Sequence, residues 1–267
     1  MNPEEIYGEL IRISGQQFIS KPMIVGGIPR DIYLGINSNR DVDITTNDPD
    51  CPRLGLTLAS ELNFGFKMFE DAHVSVYTES GSLDFSGNFI SKKAVEYLES
   101  NYKMEDKLLY ETCSRDFTIN TLHKDLMGET IYDPLDVAER DLGSKIIKTI
   151  TTPDICFGDD IRRIFRSINF AARFNFAIDG AIIDYARSNI DLISREMGRT
   201  LRDAFVTSII SESIEKNPDI TLGYIGDMNI LGLIPLTGRF KEELISRKMI
   251  IDYLDSSTNS KNNMMDT

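Results

Sequence analysis

Val25-Gly26-Gly27-Ile28-Pro29-Arg30-Asp31-Ile32-Tyr33-Leu34-Gly35 is followed shortly by Asp41-Val42-Asp43-Ile44-Thr45. The apolar run Met23-Ile24-Val25 reads as a buried strand that stops at Gly26-Gly27. Two glycines let a backbone turn tightly and approach a ligand closely. Pro29 falls in the opening turn of the next element, a helix position that tolerates proline. The free N–H groups of that helix would face the same space as the glycines, a seat suited to phosphate. Arg30 lies there too, with the planar fork that suits phosphate oxygens. Asp41, Val42, Asp43 and Ile44 alternate, so on a strand both aspartates share one face and both aliphatics the other. Neighbouring carboxylates repel unless a cation lies between them, and hard oxygen ligands suit Mg²⁺ completed by water and substrate phosphates. The DxD alone reads better as a polar strand face. Strand, Gly-Gly turn, arginine and DxD within about twenty residues favour a nucleotide-phosphate and metal site.

Outward from this stretch, residues 3–19 read as an amphipathic helix, and Asp50 begins another that carries Leu54, Leu56, Leu58, Ala59 and Leu62. Residues 66–69 and 72–78 read as strands, Glu79-Ser80-Gly81-Ser82 as a hairpin turn and Leu83-Asp84-Phe85 as the returning strand. Asp84 projects from the face opposite to its apolar neighbours. It is either a third carboxylate beside Asp41 and Asp43 or a solvent-facing aspartate on an edge strand. Residues 86–110 read as a mobile polar segment with one charged helix. Arg115 to Leu122 reads as a helix start with Asp116 near its N-terminus, and Gly128 to Ile131 as a hairpin-like return.

Beyond about residue 150 strand signals stop and nearly everything reads as helix. Asp159 to Arg173 is the strongest, with Ile161, Ile164, Phe165, Ile168 and Ala172 as its buried stripe. Asp160, Arg163, Arg166 and Asn169 recur every third residue and read as a second ridge. A solvated face with an Asp–Arg pair is the bland reading. The combination of acceptor, forked donors and amide could instead hold a base edge and a triphosphate.

Bulk properties narrow the classes. The chain has 267 residues with 41% hydrophobic content, enough for a real core in one large or two ordinary domains. No apolar run is long enough to span a bilayer and no leader stands at Met1 to Glu5, so a soluble cytoplasmic protein without membrane contact is expected. Cys51, Cys113 and Cys156 show neither zinc spacing nor a disulfide framework. His73 and His123 are the two histidines, too few for a histidine-based metal site. A net charge of −13 argues against non-specific coating of nucleic acid, while leaving room for a local basic groove.

Taken in order, these stretches resemble the class II tRNA nucleotidyltransferase and poly(A) polymerase family, within the DNA polymerase β-like nucleotidyltransferases. Gly26 to Asp31 with Leu34-Gly35 and Asp41-Val42-Asp43 is similar to the family's first motif, and Ser114 to Leu122 to its second. Asp133-Pro134 with Asp141-Leu142 resembles the hinge between head and neck, although its usual glycine is absent and it is one residue longer. Gly158 to Arg163 with Arg166 and Phe170 to Phe174 resembles the EDxxR helix, with Asp159 in place of glutamate. Leu192 to Leu201 resembles the following neck segment.

The resemblance implies an α+β fold. A nucleotidyltransferase head with a small sheet spans 1–150, a helical neck and partial body 151–255, and a disordered tail 256–267. It implies Mg²⁺ on Asp41 and Asp43; Asp84 joins them as a candidate catalytic carboxylate on the strand reading above, not on the resemblance. The incoming triphosphate would lie on Gly26, Gly27, Arg30 and Arg115, with Asp116 beside them. Asp160 and Arg163 would read the base of CTP or ATP, supported by Arg166, with Asn169 where the family usually carries another arginine. The implied activity is template-independent addition of CMP or AMP to an RNA 3′ end, foremost the CCA end of tRNA through its acceptor arm. A poly(A)- or oligo(A)-adding enzyme, or nucleotidylation of a non-tRNA acceptor, is the alternative. A non-catalytic RNA- or nucleotide-binding module is disfavoured, because the aspartates, Arg115 and the Asp160/Arg163 pair occur together. Relatives continue into body and tail helices; weak RNA binding through the neck helices is expected, with self-association or a second subunit in place of the missing body as the alternative.

Overall fold

The computed structural model describes residues 1–17, 19–37, 41–46, 49–69, 73–86, 91–102, 112, 114–200, 203–235 and 238–246. Of the expected mobile stretch 86–110, residues 87–90 and 103–110 lie outside them, as does the expected disordered tail, while the one charged helix expected there is described as Lys92–Asn101. The chain divides into two compact units. The first contains residues 1–144 and 148–159, the second 145–147 and 160–267.

In the first unit, α1 (Pro3–Gln16) opens with a capping box. Asn2 Oδ1 accepts from the Glu5 amide at 2.9 Å, and the Glu5 carboxylate accepts from the Asn2 amide at 3.0 Å. Its buried stripe, Ile6, Leu10 and Ile13, packs on α3 (Cys51–Leu62), while the short α2 (Gly27–Tyr33) lies between them in sequence. These helices cover a seven-stranded mixed sheet of order β3-β4-β5-β2-β1-β6-β7, larger than the small sheet expected. Its strands are β1 (Met23–Val25), β2 (Val42–Thr45), β3 (Gly65–Met68), β4 (Val74–Thr78), β5 (Gly81–Phe85), β6 (His123–Asp125) and β7 (Ile131–Tyr132).

Within this sheet β2 and β5 run parallel and the other neighbours antiparallel. Strand alternation sorts its two faces. Ile24, Ile44, Phe85 and Val74 form one cross-strand row in the core beneath α1 and α3. Gly55 lets α3 approach closely, since a Cβ there would lie 2.5 Å from the Phe85 ring. The adjacent row, Val25, Asp43, Asp84 and Ser75, turns to the opposite face.

Arg115 to Leu122 departs from the expected helix: Thr118–Asn120 makes a single 3₁₀ turn. Local side-chain bonds explain this. Asp116 Oδ1 accepts from the Phe117 amide at 2.9 Å, and the Thr121 hydroxyl donates to the Thr118 carbonyl at 2.9 Å. Such bonds compete with helix continuation. The segment is anchored where Phe117 bridges to Thr149. α4 (Lys92–Asn101), α5 (Ala138–Gly143) and α6 (Pro153–Asp159) complete the unit.

The second unit is centred on α7 (Arg163–Phe174), which ends at Asn175 in the left-handed conformation. It is followed by α8 (Gly180–Ser188), α9 (Ile190–Thr200), α10 (Asp203–Lys216), α11 (Pro218–Asp227) and α12 (Gly238–Ser246). α7 packs on α10 and α11. The Asp179 carboxylate accepts from the Ala181 amide to open α8, and Asn217 accepts from the Ile220 amide to open α11. The expectation of helix alone past residue 150 needs one correction. β8 (Ile146–Ile147) and β9 (Ala177–Ile178) form a parallel pair. The whole is an α+β fold. Among the described residues no helix is long and apolar enough to cross a membrane.

Candidate active site

Gly26 has φ +75° and ψ −127°, a backbone state that side chains rarely tolerate. A Cβ there would collide with Asp43 Oδ2 and come within 3.2 Å of Arg115 Nη1. The glycine therefore lets three predicted site residues meet: the turn itself, Asp43 of β2 and Arg115 of the 115–122 segment. Asp43 and Asp84 are direct Cα partners across the parallel β2–β5 ladder, which sets their side chains beside each other on one face. Asp41 is exposed and lies just ahead of β2.

Among the described residues, no group of three or more His, Cys, Asp or Glu side chains forms a ready metal cage. The donor chemistry nonetheless fits a hard divalent cation. Two adjacent carboxylates with a third two residues upstream offer oxygen only, and a cation relieves their repulsion.

Arg30 is placed differently from the sequence expectation. Its side chain is 1% exposed and turned inward. Nε and Nη2 donate to Asp31 Oδ1 at 2.8 and 2.6 Å, and Nη1 donates to Asn120 Oδ1 at 2.6 Å. Asn120 in turn donates to Asp116 Oδ1 at 2.9 Å. Arg30, Asp31, Asn120 and Asp116 thus form one buried polar chain that ties α2 to the 115–122 segment. Asp116 sits in that chain, away from open solvent.

In the second unit the predicted ridge divides. Asp160 precedes α7 and lies in the turn before it, so Asp160 and Arg163 are not successive residues of one helix. Its carboxylate accepts from the Arg162 amide at 2.9 Å and from Arg162 Nε at 2.8 Å, with Nη2 2.8 Å from the other oxygen. This hydrogen bonding holds the Arg162 guanidinium pKa above its ordinary value. Arg163 opens the helix. Arg166 is exposed with its guanidinium carbon 5.5 Å from the Phe170 ring centre. Asn169 is 8% exposed and donates to the Ser213 hydroxyl at 3.2 Å, a packing contact with α10.

Sequence reasoning passed over four residues that the site uses. Asn120 and Asp31 complete the buried chain, and Ser75 and His73 approach Asp84. A signal for Ser75 was available. The turn at Gly81 pairs Thr78 with Gly81, and counting back along both strands brings Ser75 opposite Asp84.

The Poly A polymerase head domain matches residues 22–148. The tRNA nucleotidyltransferase cca2 of Schizosaccharomyces pombe is 27% identical over 188 residues, covering 60% of this chain and 37% of the relative. A CCA-adding enzyme of Staphylococcus epidermidis is 29% identical over 182 residues, covering 64% of this chain and 41% of the relative. The chain thus spans about two fifths of the length of these relatives. The fold is similar to the crystal structure of the Bacillus stearothermophilus CCA-adding enzyme in complex with CTP. There the TM-score is 0.66 at 20% identity, over 92% of this chain and 57% of the other. By the head-domain match, residues 22–148 are similar to the poly(A) polymerase head family, and the chain is similar to tRNA nucleotidyltransferases and CCA-adding enzymes.

Proposed function

We propose that the protein is a template-independent RNA nucleotidyltransferase that adds CMP or AMP from CTP or ATP to an RNA 3′ end, the tRNA acceptor end foremost. The observation that carries this reading is the side-by-side register of Asp43 and Asp84, with Gly26 and Arg115 against Asp43. It is the arrangement an in-line phosphoryl transfer needs: carboxylates for cations beside donors for a triphosphate. The names of the relatives, tRNA nucleotidyltransferase and CCA-adding enzyme, support the choice of acceptor.

In this reading Asp41, Asp43 and Asp84 hold Mg²⁺, which when bound neutralises developing charge and makes the RNA 3′-hydroxyl a better nucleophile. Amides at the Gly26-Gly27 turn and the Arg115 guanidinium receive the triphosphate. The 3′-hydroxyl loses its proton to solvent as a bond forms between its oxygen and the α-phosphorus, the α–β phosphoanhydride bond breaks, and pyrophosphate leaves with its electron pair. Arg30 and Asp116 serve from within the buried chain, holding α2 and the 115–122 segment together. Asp160 and Arg163, with Arg166 beside them, read the base edge. Arg162 orients Asp160 for that task.

The test is incubation of the full chain with Mg²⁺ and tRNAs lacking their 3′ CCA, with each NTP singly and mixed, and sequencing of product ends. CMP and AMP incorporation that disappears in Asp43→Ala is the expected result. Addition of A alone, on tRNA and unrelated RNA equally, would select the poly(A) reading. No incorporation on any RNA from any NTP would sink the proposal.

A further inference from the structure

Asp84 is gripped from one direction. Across the β4–β5 ladder it faces Ser75, whose side chain is 6% exposed and whose hydroxyl donates to Asp84 Oδ1 at 2.5 Å. His73 Nε2 lies 3.6 Å from the same oxygen. The imidazole stacks on Phe69, with ring centres 4.8 Å apart and planes at 20°, and the Phe69 amide donates to the His73 carbonyl at 2.9 Å. Lys67 Nζ stands 4.5 Å from the Phe69 ring centre. Alternation along the hairpin explains the grouping. Lys67 is the cross-strand partner of Ser75, and residues two apart share a face, so 67, 69, 73, 75 and 84 all lie on the face that carries Asp43.

Both contacts fall on Oδ1. A hydroxyl bonded to a carboxylate is a strong, directional anchor, and fixing one oxygen fixes the plane of the group and the direction of the other. We infer that Ser75 and His73 are positioning residues that set the carboxylate plane of Asp84, so that Oδ2 is presented beside Asp43 to a divalent cation. The Phe69–His73 stack under Lys67 is the brace that keeps the imidazole in place. This inference rests on the reading of Asp84 as a carboxylate of the nucleotidyl-transfer site. Partners of this kind, which touch a ligand residue and not the metal, typically contribute 10–100-fold to metal affinity or turnover.

The experiment measures Mn²⁺ binding to the full chain without nucleotide or RNA, from the electron paramagnetic resonance signal of free Mn²⁺. Transfer kinetics are run on the same preparations. Ser75→Ala is expected to weaken Mn²⁺ binding and lower kcat by about 10-fold each, with KM for the NTP roughly unchanged. Ser75→Thr, which keeps the hydroxyl, should restore both. His73→Phe, which keeps a ring against Phe69 and removes the nitrogen, should move both in the same direction by less. Should Ser75→Ala fail to fold, Ser75→Thr against Ser75→Val gives the same comparison at matched volume. Normal Mn²⁺ affinity in Ser75→Ala, whether or not its thermal stability falls, overturns the inference provided that Asp84→Asn is impaired. If Asp84→Asn itself binds Mn²⁺ and turns over normally, the reading of Asp84 falls instead.

Discussion

Arg30 carries its guanidinium into the interior of the first unit, where Asp31, itself 0% exposed, and Asn120 take up its N–H groups. Removing one member of a buried ion pair leaves the other charged and without compensation, at a cost of about 3–5 kcal/mol. Arg30→Met is therefore expected to lower the urea unfolding free energy by that amount. A loss under about 1 kcal/mol would show that the buried chain does not tie the unit together. Asp43 answers in the opposite way. Its carboxylate faces the site row and not the core, so Asp43→Ala should leave the unfolding midpoint nearly unchanged. It should also abolish transfer, since loss of cation-based stabilisation costs several kcal/mol of barrier. Near-normal turnover by a folded Asp43→Ala would remove Asp43 from the mechanism. The two residues share one motif, and sequence spacing alone could not separate them. Both have the chemistry to meet a phosphate or a metal, and only the inward turn of the Arg30 side chain distinguishes them.

At the scale of elements, the Gly26 turn is the joint on which α2, β2 and the 115–122 segment converge. Gly26→Ala would force a side chain into the space of Asp43 Oδ2 and Arg115 Nη1 at a φ of +75°. Strain of that kind is of order 1–3 kcal/mol. The expected outcome is a large loss of kcat with a modest fall in melting temperature, read by transfer assay and thermal unfolding together. Wild-type turnover by Gly26→Ala would mean that the turn is not part of the site. Much of this architecture was legible beforehand. Strict alternation marked β2 and β5, and the Gly81 turn fixed the hairpin that carries Asp84. The 115–122 segment was not legible, because Phe117, Ile119 and Leu122 imitate helical spacing while Asp116, Thr118 and Thr121 bond locally and halt the helix after one 3₁₀ turn. The start of the helix at Asp159 was misplaced as well, leaving Asp160 ahead of it. Helix α7 starts three residues after Asp160, at Arg163, and no side-chain cap marks its beginning.

For the whole molecule, a net charge of −13 means that the proposed RNA binding would depend on local cations. The second unit supplies arginines, but not all are equally available to phosphate. Arg162 is engaged by Asp160, and Arg187 donates to the Asp227 carbonyl and stands 3.9 Å from its carboxylate. Arg166 and Arg173 lie over aromatic rings of their own helix, an arrangement that leaves their charge in place. Binding of an acceptor minihelix should therefore be weak and steeply salt-dependent. With roughly three phosphate contacts, the slope of log K against log salt would be near −3. A filter-binding series at rising KCl measures it, and a flat profile would exclude this cationic path. Arg166→Ala should shallow the slope by about one.

The chain crosses between the two units three times, because Lys145–Ile147 belongs with the second while 148–159 returns to the first. Synthesis runs in one direction, so β8 leaves the ribosome well before β9, its partner strand. The first unit cannot close until Asp159 has emerged. During that interval Ile146 and Ile147 wait with an unpaired edge. The two units are thus unequal in time: one is complete when translation passes residue 159, whereas the other must hold a borrowed strand in readiness until residues 177–178 arrive.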